Sequence, residues 1–196
     1  MGFKKNHPRE ESLVSPGRRR LLGFAAMATA SFVISPAIAQ IQPQVRGERV
    51  LTFENLHTGE KLTTTYWANG AYVTDNLADI NHILRDYRTN DSMAIDPKLL
   101  DLLYTLKLKV KSNKPFAVIS GYRSPATNAQ LRANSNGVAT HSLHLEGKAI
   151  DVHIPGQGLA GLHRAALALR GGGVGYYPGS GFIHMDTGPV RVWNGV

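Results

Sequence analysis

The chain has 196 residues, enough for one domain with a sizeable core. It has no cysteine, which excludes disulfides and thiolate chemistry and leaves any metal to histidine and carboxylate ligands. The formal charge is +8, but residues 1–39 hold six basic residues against two acidic ones, so the rest carries only half of it. So mild an excess gives no reason to expect nucleic acid as a partner and suits an anionic polymer such as cell wall.

In chain order, Arg18-Arg19-Arg20 precedes a moderately apolar run from Leu21 to Ile34, and Ala37-Ile38-Ala39 follows. Basic patch, apolar run and small residues in that order predict an export signal over 1–39, cleaved after Ala39. Arg18-Arg19 fits the twin-arginine pattern, with the periplasm as destination. The run is shorter than the about 20 apolar residues of a bilayer span, so no stable membrane insertion is expected after cleavage. Residues 40–48 form an extended lead-in, and one domain is expected over 49–196.

"RVLTFENLHTGEKLTTTYW" alternates and turns at Thr58-Gly59, which predicts a β-hairpin. Leu77, Ile80, Leu84 and Tyr87 recur at helical spacing, with Asp75 or Asn76 as cap. Asp96-Pro97 opens a second helix, whose core stripe is Leu99, Leu102, Leu103, Leu106 and Val110. "FAVIS" is a short buried strand, Ser124-Pro125 opens a third helix, and "AIDVHI" is another strand. Leu159, Leu162, Ala166 and Leu169 mark a fourth helix, stopped by Gly171-Gly172-Gly173, and two or three short strands finish the chain. Without a regular βαβ rhythm, the expected class is α+β, a single domain with a mainly antiparallel sheet flanked by helices.

The span "THSLHLEGKAIDVHIPG" concentrates His141, His144, Glu146, Asp151 and His153. Strand alternation puts Ile150, Val152 and Ile154 on one face and Ala149, Asp151 and His153 on the other. The same pattern in "GFIHMDTG" groups Phe182, His184 and Asp186, with Ile183 and Met185 behind. Two strands thus each present imidazole and carboxylate to one cleft. Two neutral imidazoles and a carboxylate suit a catalytic zinc ion, which needs three protein ligands and one open position. His144, Asp151 and His184 are the candidate ligands, although a His and an Asp seven apart select nothing by spacing alone.

"SLHLEGKAID" fits S-x-H-x-x-G-x-A-x-D at Ser142, His144, Gly147, Ala149 and Asp151. It resembles the signature of the zinc peptidases that include D-alanyl-D-alanine carboxypeptidases, VanX-type dipeptidases and the hedgehog signalling domain. That resemblance implies a hedgehog/DD-peptidase-like fold and Zn2+ held by His144, Asp151 and, on a neighbouring strand, His184. "LTFENLHTGEKL", "INHILRDYRTN", "ISGYRSPATNAQLR" and "GGVGYYPGSGFIHMDTGPVRVW" are similar to the MepK-like murein endopeptidases. This closer resemblance implies peptidoglycan cross-link peptides as substrate, in particular bonds between two diaminopimelate residues. In related dipeptidases an arginine placed like Arg123 contacts the scissile carbonyl and the oxyanion formed from it.

The proton carrier departs from the pattern. Relatives place Glu three residues or His two residues before the last ligand, where this chain has Gly181 and Phe182. Asp186 is the first candidate and His153 the second, with His141 and Glu146 on the flanking loop; either of the first two could instead orient a ligand. Arg132 and Lys148 are candidate cations for substrate carboxylates, Tyr176, Tyr177 and Pro178 a candidate groove rim. His82 and His163 are expected to be solvated, and His57 to serve its turn. Two other functions compete: a D-alanyl carboxypeptidase or dipeptidase, and a zinc-stabilised cell-wall binding module without turnover.

Overall fold

Alternation in β1 (Arg49–Asn55) buries Leu51, Phe53 and Asn55, and β2 (Lys61–Ala68) returns antiparallel with Phe53 opposite Leu62. The computed structural model describes residues 47–134 and 138–195. The expected export signal, and the lead-in apart from exposed Gly47 and Glu48, lie outside them. No helix among the described residues is long and apolar enough to cross a membrane.

A two-residue strand, β3 (Ala71–Tyr72), extends the hairpin, then α1 (Thr74–Ile83) and α2 (Pro97–Lys109) carry the chain to β4 (Phe116–Ser120). After α3 (Pro125–Asn134) come β5 (Ala149–His153), α4 (Leu159–Leu167), β6 (Gly173–Tyr177), β7 (Phe182–Asp186) and β8 (Arg191–Asn194). All eight strands join one sheet in the order β3-β2-β1-β4-β5-β7-β6-β8.

The class is α+β, and the sheet is mixed, with two parallel strand pairings beside five antiparallel ones. β4 runs parallel to β1 and β8 parallel to β6. The first follows from the helical crossover, which brings the chain back in β1's direction. The second arises because β8 flanks β6 on the side away from its hairpin partner β7.

The two sheet faces divide the labour. α2 and α4 pack on the sheet and on each other, and Leu99, Leu100, Leu103, Leu106 and Leu162 are fully buried with Phe53, Phe116, Ile150, Val152 and Ile183. Each buried Leu or Phe contributes about 2 kcal/mol of transfer free energy. The opposite face of β5 and β7 carries Asp151, His184 and Asp186.

The Asp96 cap works as expected, its side chain accepting from Lys98 N at 2.9 Å. α1 differs. It starts at Thr74 behind Val73, whose apolar side chain cannot cap, so Asp75 and Asn76 lie inside the helix, where Asn76 donates to the Thr65 carbonyl at 2.7 Å. It also ends before Tyr87, whose ring stacks on His57 at 3.8 Å. His57 further donates through Nε2 to the Ile119 carbonyl at 3.0 Å, so it does more than serve a turn.

Candidate metal centre

Two paired strands and one short turn bring the candidate ligands together. Ile150 and Val152 on β5, with Ile183 and Met185 on β7, enter the core, which turns Asp151 and His184 to the other face. These two are direct partners in the antiparallel ladder, where opposed side chains lie in contact range. His184 Nδ1 lies 2.8 Å from Asp151 Oδ1.

His144 comes from a 3-10 turn, Leu143–Glu146, whose first residues are capped by the Ser142 hydroxyl. Gly147 closes the turn at φ 65°. A Cβ there would stand 2.4 Å from the Ala94 carbonyl oxygen, so both conformation and space demand glycine. The turn sets His144 Nε2 3.2 Å from both Asp151 Oδ2 and His184 Nδ1. One donor atom from each of the three buried residues lies within 4.8 Å of the others.

The outer ring nitrogens are committed. His144 Nδ1–H donates to the Gly121 carbonyl at 2.7 Å, and His184 Nε2–H donates to Asp186 Oδ2 at 2.9 Å. In the neutral tautomers the facing nitrogens therefore point lone pairs at one another and at a carboxylate. Such a convergence of acceptors requires a cation or a proton among them, so the donor set fits a divalent ion. Without an ion the proton settles on His184. Burial opposes its charge, but hydrogen bonds to Asp151 and Asp186 outweigh burial and push it up to about 9. Burial drives His144 downwards. Burial also works against the Asp151 anion, but the two imidazoles hold it far below the usual carboxylate range.

Asp186 is behind His184, wholly buried, with both oxygens taken. Oδ1 accepts from Gly173 N, Gly188 N and Arg191 Nη1 at 2.9–3.0 Å, and Oδ2 accepts from Arg191 Nη2 at 2.7 Å besides His184. Despite burial, those donors keep it ionised. His153 is half-buried on the Asp151 face, and its side chain has no hydrogen bond or ion pair among the described residues. Exposed Glu146 is 2.7 Å from Lys148 Nζ, while His141 and Arg132 are exposed.

Arg123 lies between β4 and α3, its backbone N–H on the His144 carbonyl at 3.1 Å. Its Nη2 is 3.7 Å from Asp151 Oδ2 and 3.4 Å from Ser120 Oγ, and its buried Nε has no partner among the described residues. Burial lowers its proton affinity, which Asp151 partly restores. This buried fork is loosely held and has donors to spare.

Sequence reasoning missed Arg191, Trp193 and Asp86. Trp193 packs 5.0 Å from the His184 ring. Asp86 is buried and accepts from Ser124 N at 2.8 Å and Arg88 N at 2.9 Å, pinning the Arg123 segment to the loop after α1. Only the spacing of Asp186 and Arg191 across Gly188-Pro189 carried a usable signal. His82, exposed, lies 3.7 Å from Glu60, but His163 stacks on Tyr176 at 4.6 Å with a buried Nε2 that has no partner among the described residues, which corrects its solvated assignment.

Two imidazoles and one carboxylate around a single point, with a guanidinium beside them, define a candidate metal centre of the two-histidine, one-carboxylate class. The family model Peptidase_M15_2, Peptidoglycan L,D-endopeptidase MepK, matches residues 44–193, and the chain belongs to that family. It is 46% identical over 177 residues to the peptidoglycan L,D-endopeptidase MepK of Escherichia coli strain K12, covering 90% of this chain and 96% of the relative. A relative from Haemophilus influenzae, named probable peptidoglycan L,D-endopeptidase MepK, is 39% identical over 184 residues, covering 93% and 98%.

Proposed function

We propose that this protein is an exported, zinc-dependent murein endopeptidase that hydrolyses peptide cross-links of peptidoglycan between diaminopimelate residues. The observation that carries the proposal is the convergence of His144 Nε2, His184 Nδ1 and the Asp151 carboxylate in a chain of this peptidase family. The names of its relatives support the substrate, the sequence of residues 1–39 supports twin-arginine export to the periplasm, and the Ser142–Asp151 signature supports a hedgehog/DD-peptidase-like arrangement.

His144, Asp151 and His184 would hold the ion. When bound, zinc supplies a Lewis acid that polarises a carbonyl and makes water a better nucleophile at neutral pH. The chain's own residues do the rest. Arg123 is aimed along the Asp151 side, where its spare N–H groups meet the negative charge that develops on the scissile carbonyl oxygen, a contact worth a few kcal/mol in the transition state. Asp186, with no free lone-pair direction, orients His184 and fixes its tautomer. The proton is assigned to His153, whose imidazole lies on the Asp151 face with no side-chain partner among the described residues and which accepts it from water and returns it to the leaving amine.

Mass spectrometry of cross-linked muropeptides of defined linkage tests the proposal. Zinc-loaded protein is expected to split the bond between two diaminopimelates and yield uncross-linked monomers. Loss of terminal D-alanine alone would make it a carboxypeptidase. No cleavage by folded, zinc-loaded protein would make it a binding module.

A further inference from the structure

The ladder places one more polar side chain on the metal face. Tyr177 opposes Phe182 and Gly175 opposes His184, so Tyr177, Gly175, His184 and Asp151 share one side of the sheet. The Tyr177 ring is fixed by stacking on Phe182, centroids 4.6 Å apart and planes within 18°, and by the close approach of the Gly195 backbone.

Its hydroxyl is aimed by a partner from the edge strand. Trp193 lies across Gly175, where any Cβ would stand 2.6 Å from the indole, and its ring centroid is 5.0 Å from that of His184. Trp193 Nε1–H donates to Tyr177 Oη at 2.9 Å. The indole can only donate, so the phenol accepts there and its own O–H stays free; among the described residues nothing accepts it. On the Asp151 side of the triad, Arg123 Nη2 is held only at 3.4 Å by Ser120 Oγ and at 3.7 Å by Asp151 Oδ2. Two side chains with uncommitted donors thus flank the triad.

We propose that Tyr177 is a catalytic residue that donates a hydrogen bond to the scissile carbonyl oxygen beside Arg123. The role is donation alone, with no proton transferred. Trp193 is then a positioning residue for the phenol. The inference rests on the endopeptidase function proposed above.

The test is steady-state cleavage of a cross-linked muropeptide by wild type, Tyr177→Phe and Trp193→Phe, with zinc affinity measured by chelator competition. Loss of an oxyanion donor costs about 10²–10³ in kcat. Tyr177→Phe is therefore expected to lower kcat by about that factor, with KM and zinc affinity within about threefold. Trp193→Phe keeps the phenol and is expected to lower kcat less, again at unchanged zinc affinity. A kcat for Tyr177→Phe within threefold of wild type overturns the proposal, as does a loss matched by an equal loss of zinc affinity. Should Tyr177→Phe fail to fold, Trp193→Phe decides: a lowered kcat at unchanged zinc affinity supports the role, and an unchanged kcat overturns it. An inert wild type would instead sink the endopeptidase function itself.

Discussion

Replacing Asp186 by Asn tests how the metal centre is organised. The Asp186 carboxylate accepts five hydrogen bonds from four residues, His184, Arg191, Gly173 and Gly188. An asparagine oxygen can keep the two backbone N–H groups and Arg191 Nη1 on the Oδ1 side. Its amide nitrogen must then face His184 Nε2 and Arg191 Nη2, donors against donors. His184 can satisfy the amide only by moving its proton to Nδ1, the nitrogen that faces Asp151 and His144. That move removes a ligand lone pair. Loss of an orienting partner costs about 10–100-fold in metal affinity, and the inverted tautomer puts this variant at the upper end, about 2.7 kcal/mol. Charge-assisted hydrogen bonds contribute about 1.5–3 kcal/mol each, so the metal-free variant is also expected to unfold at lower urea. Competition with a chromophoric chelator measures the affinity on folded protein, and urea titration measures the stability. Zinc affinity within threefold of wild type, alongside reduced stability, would refute the tautomer argument and leave Asp186 a purely structural residue.

Three further outcomes are expected. His153→Gln keeps polarity but cannot shuttle a proton at neutral pH; kcat should fall about 100-fold or more with zinc affinity unchanged, as read by muropeptide cleavage and chelator competition. In metal-free protein His184 stands at about 9 against an ordinary 6.5; a raised value stabilises fully below about 6.5 and is lost as pH climbs through about 9. About 3 kcal/mol of urea stability should disappear over that window, whereas the depressed carboxylates Asp151 and Asp186 act only in acid, their contribution vanishing as pH falls. Gly147→Ala must place a side chain at φ 65° and against the Ala94 carbonyl, so a loss of about 2–4 kcal/mol in urea stability is expected, with weaker zinc binding because the His144 turn shifts.

The sequence carried the site better than the sheet. Strand alternation at Ile150–Ile154 and Phe182–Asp186 is a local property, so the polar face could be assigned residue by residue. What alternation cannot give is register, and it is the direct pairing of Asp151 with His184 that makes the two strands a single site. The parallel neighbours β1–β4 and β6–β8 depend on where the chain returns after α2 and after the β6–β7 hairpin, which no local pattern encodes. Asp186 shows the same limit at one residue. Its face was legible, but the four residues that occupy its carboxylate come from β6, β7, the turn after β7 and β8, and their arrival fills the lone pairs that a base would need. Trp193 and Arg191 escaped notice because an edge strand of four residues carries too little periodicity to place.

The most direct measurement is crystallography of zinc-soaked protein with anomalous data collected on both sides of the zinc absorption edge. The account predicts one anomalous peak bonded to His144 Nε2, His184 Nδ1 and an Asp151 oxygen at about 2.0–2.2 Å, with His184 Nε2 still on Asp186. No peak at this position, or one bonded through His184 Nε2 with Asp186 displaced, would contradict it.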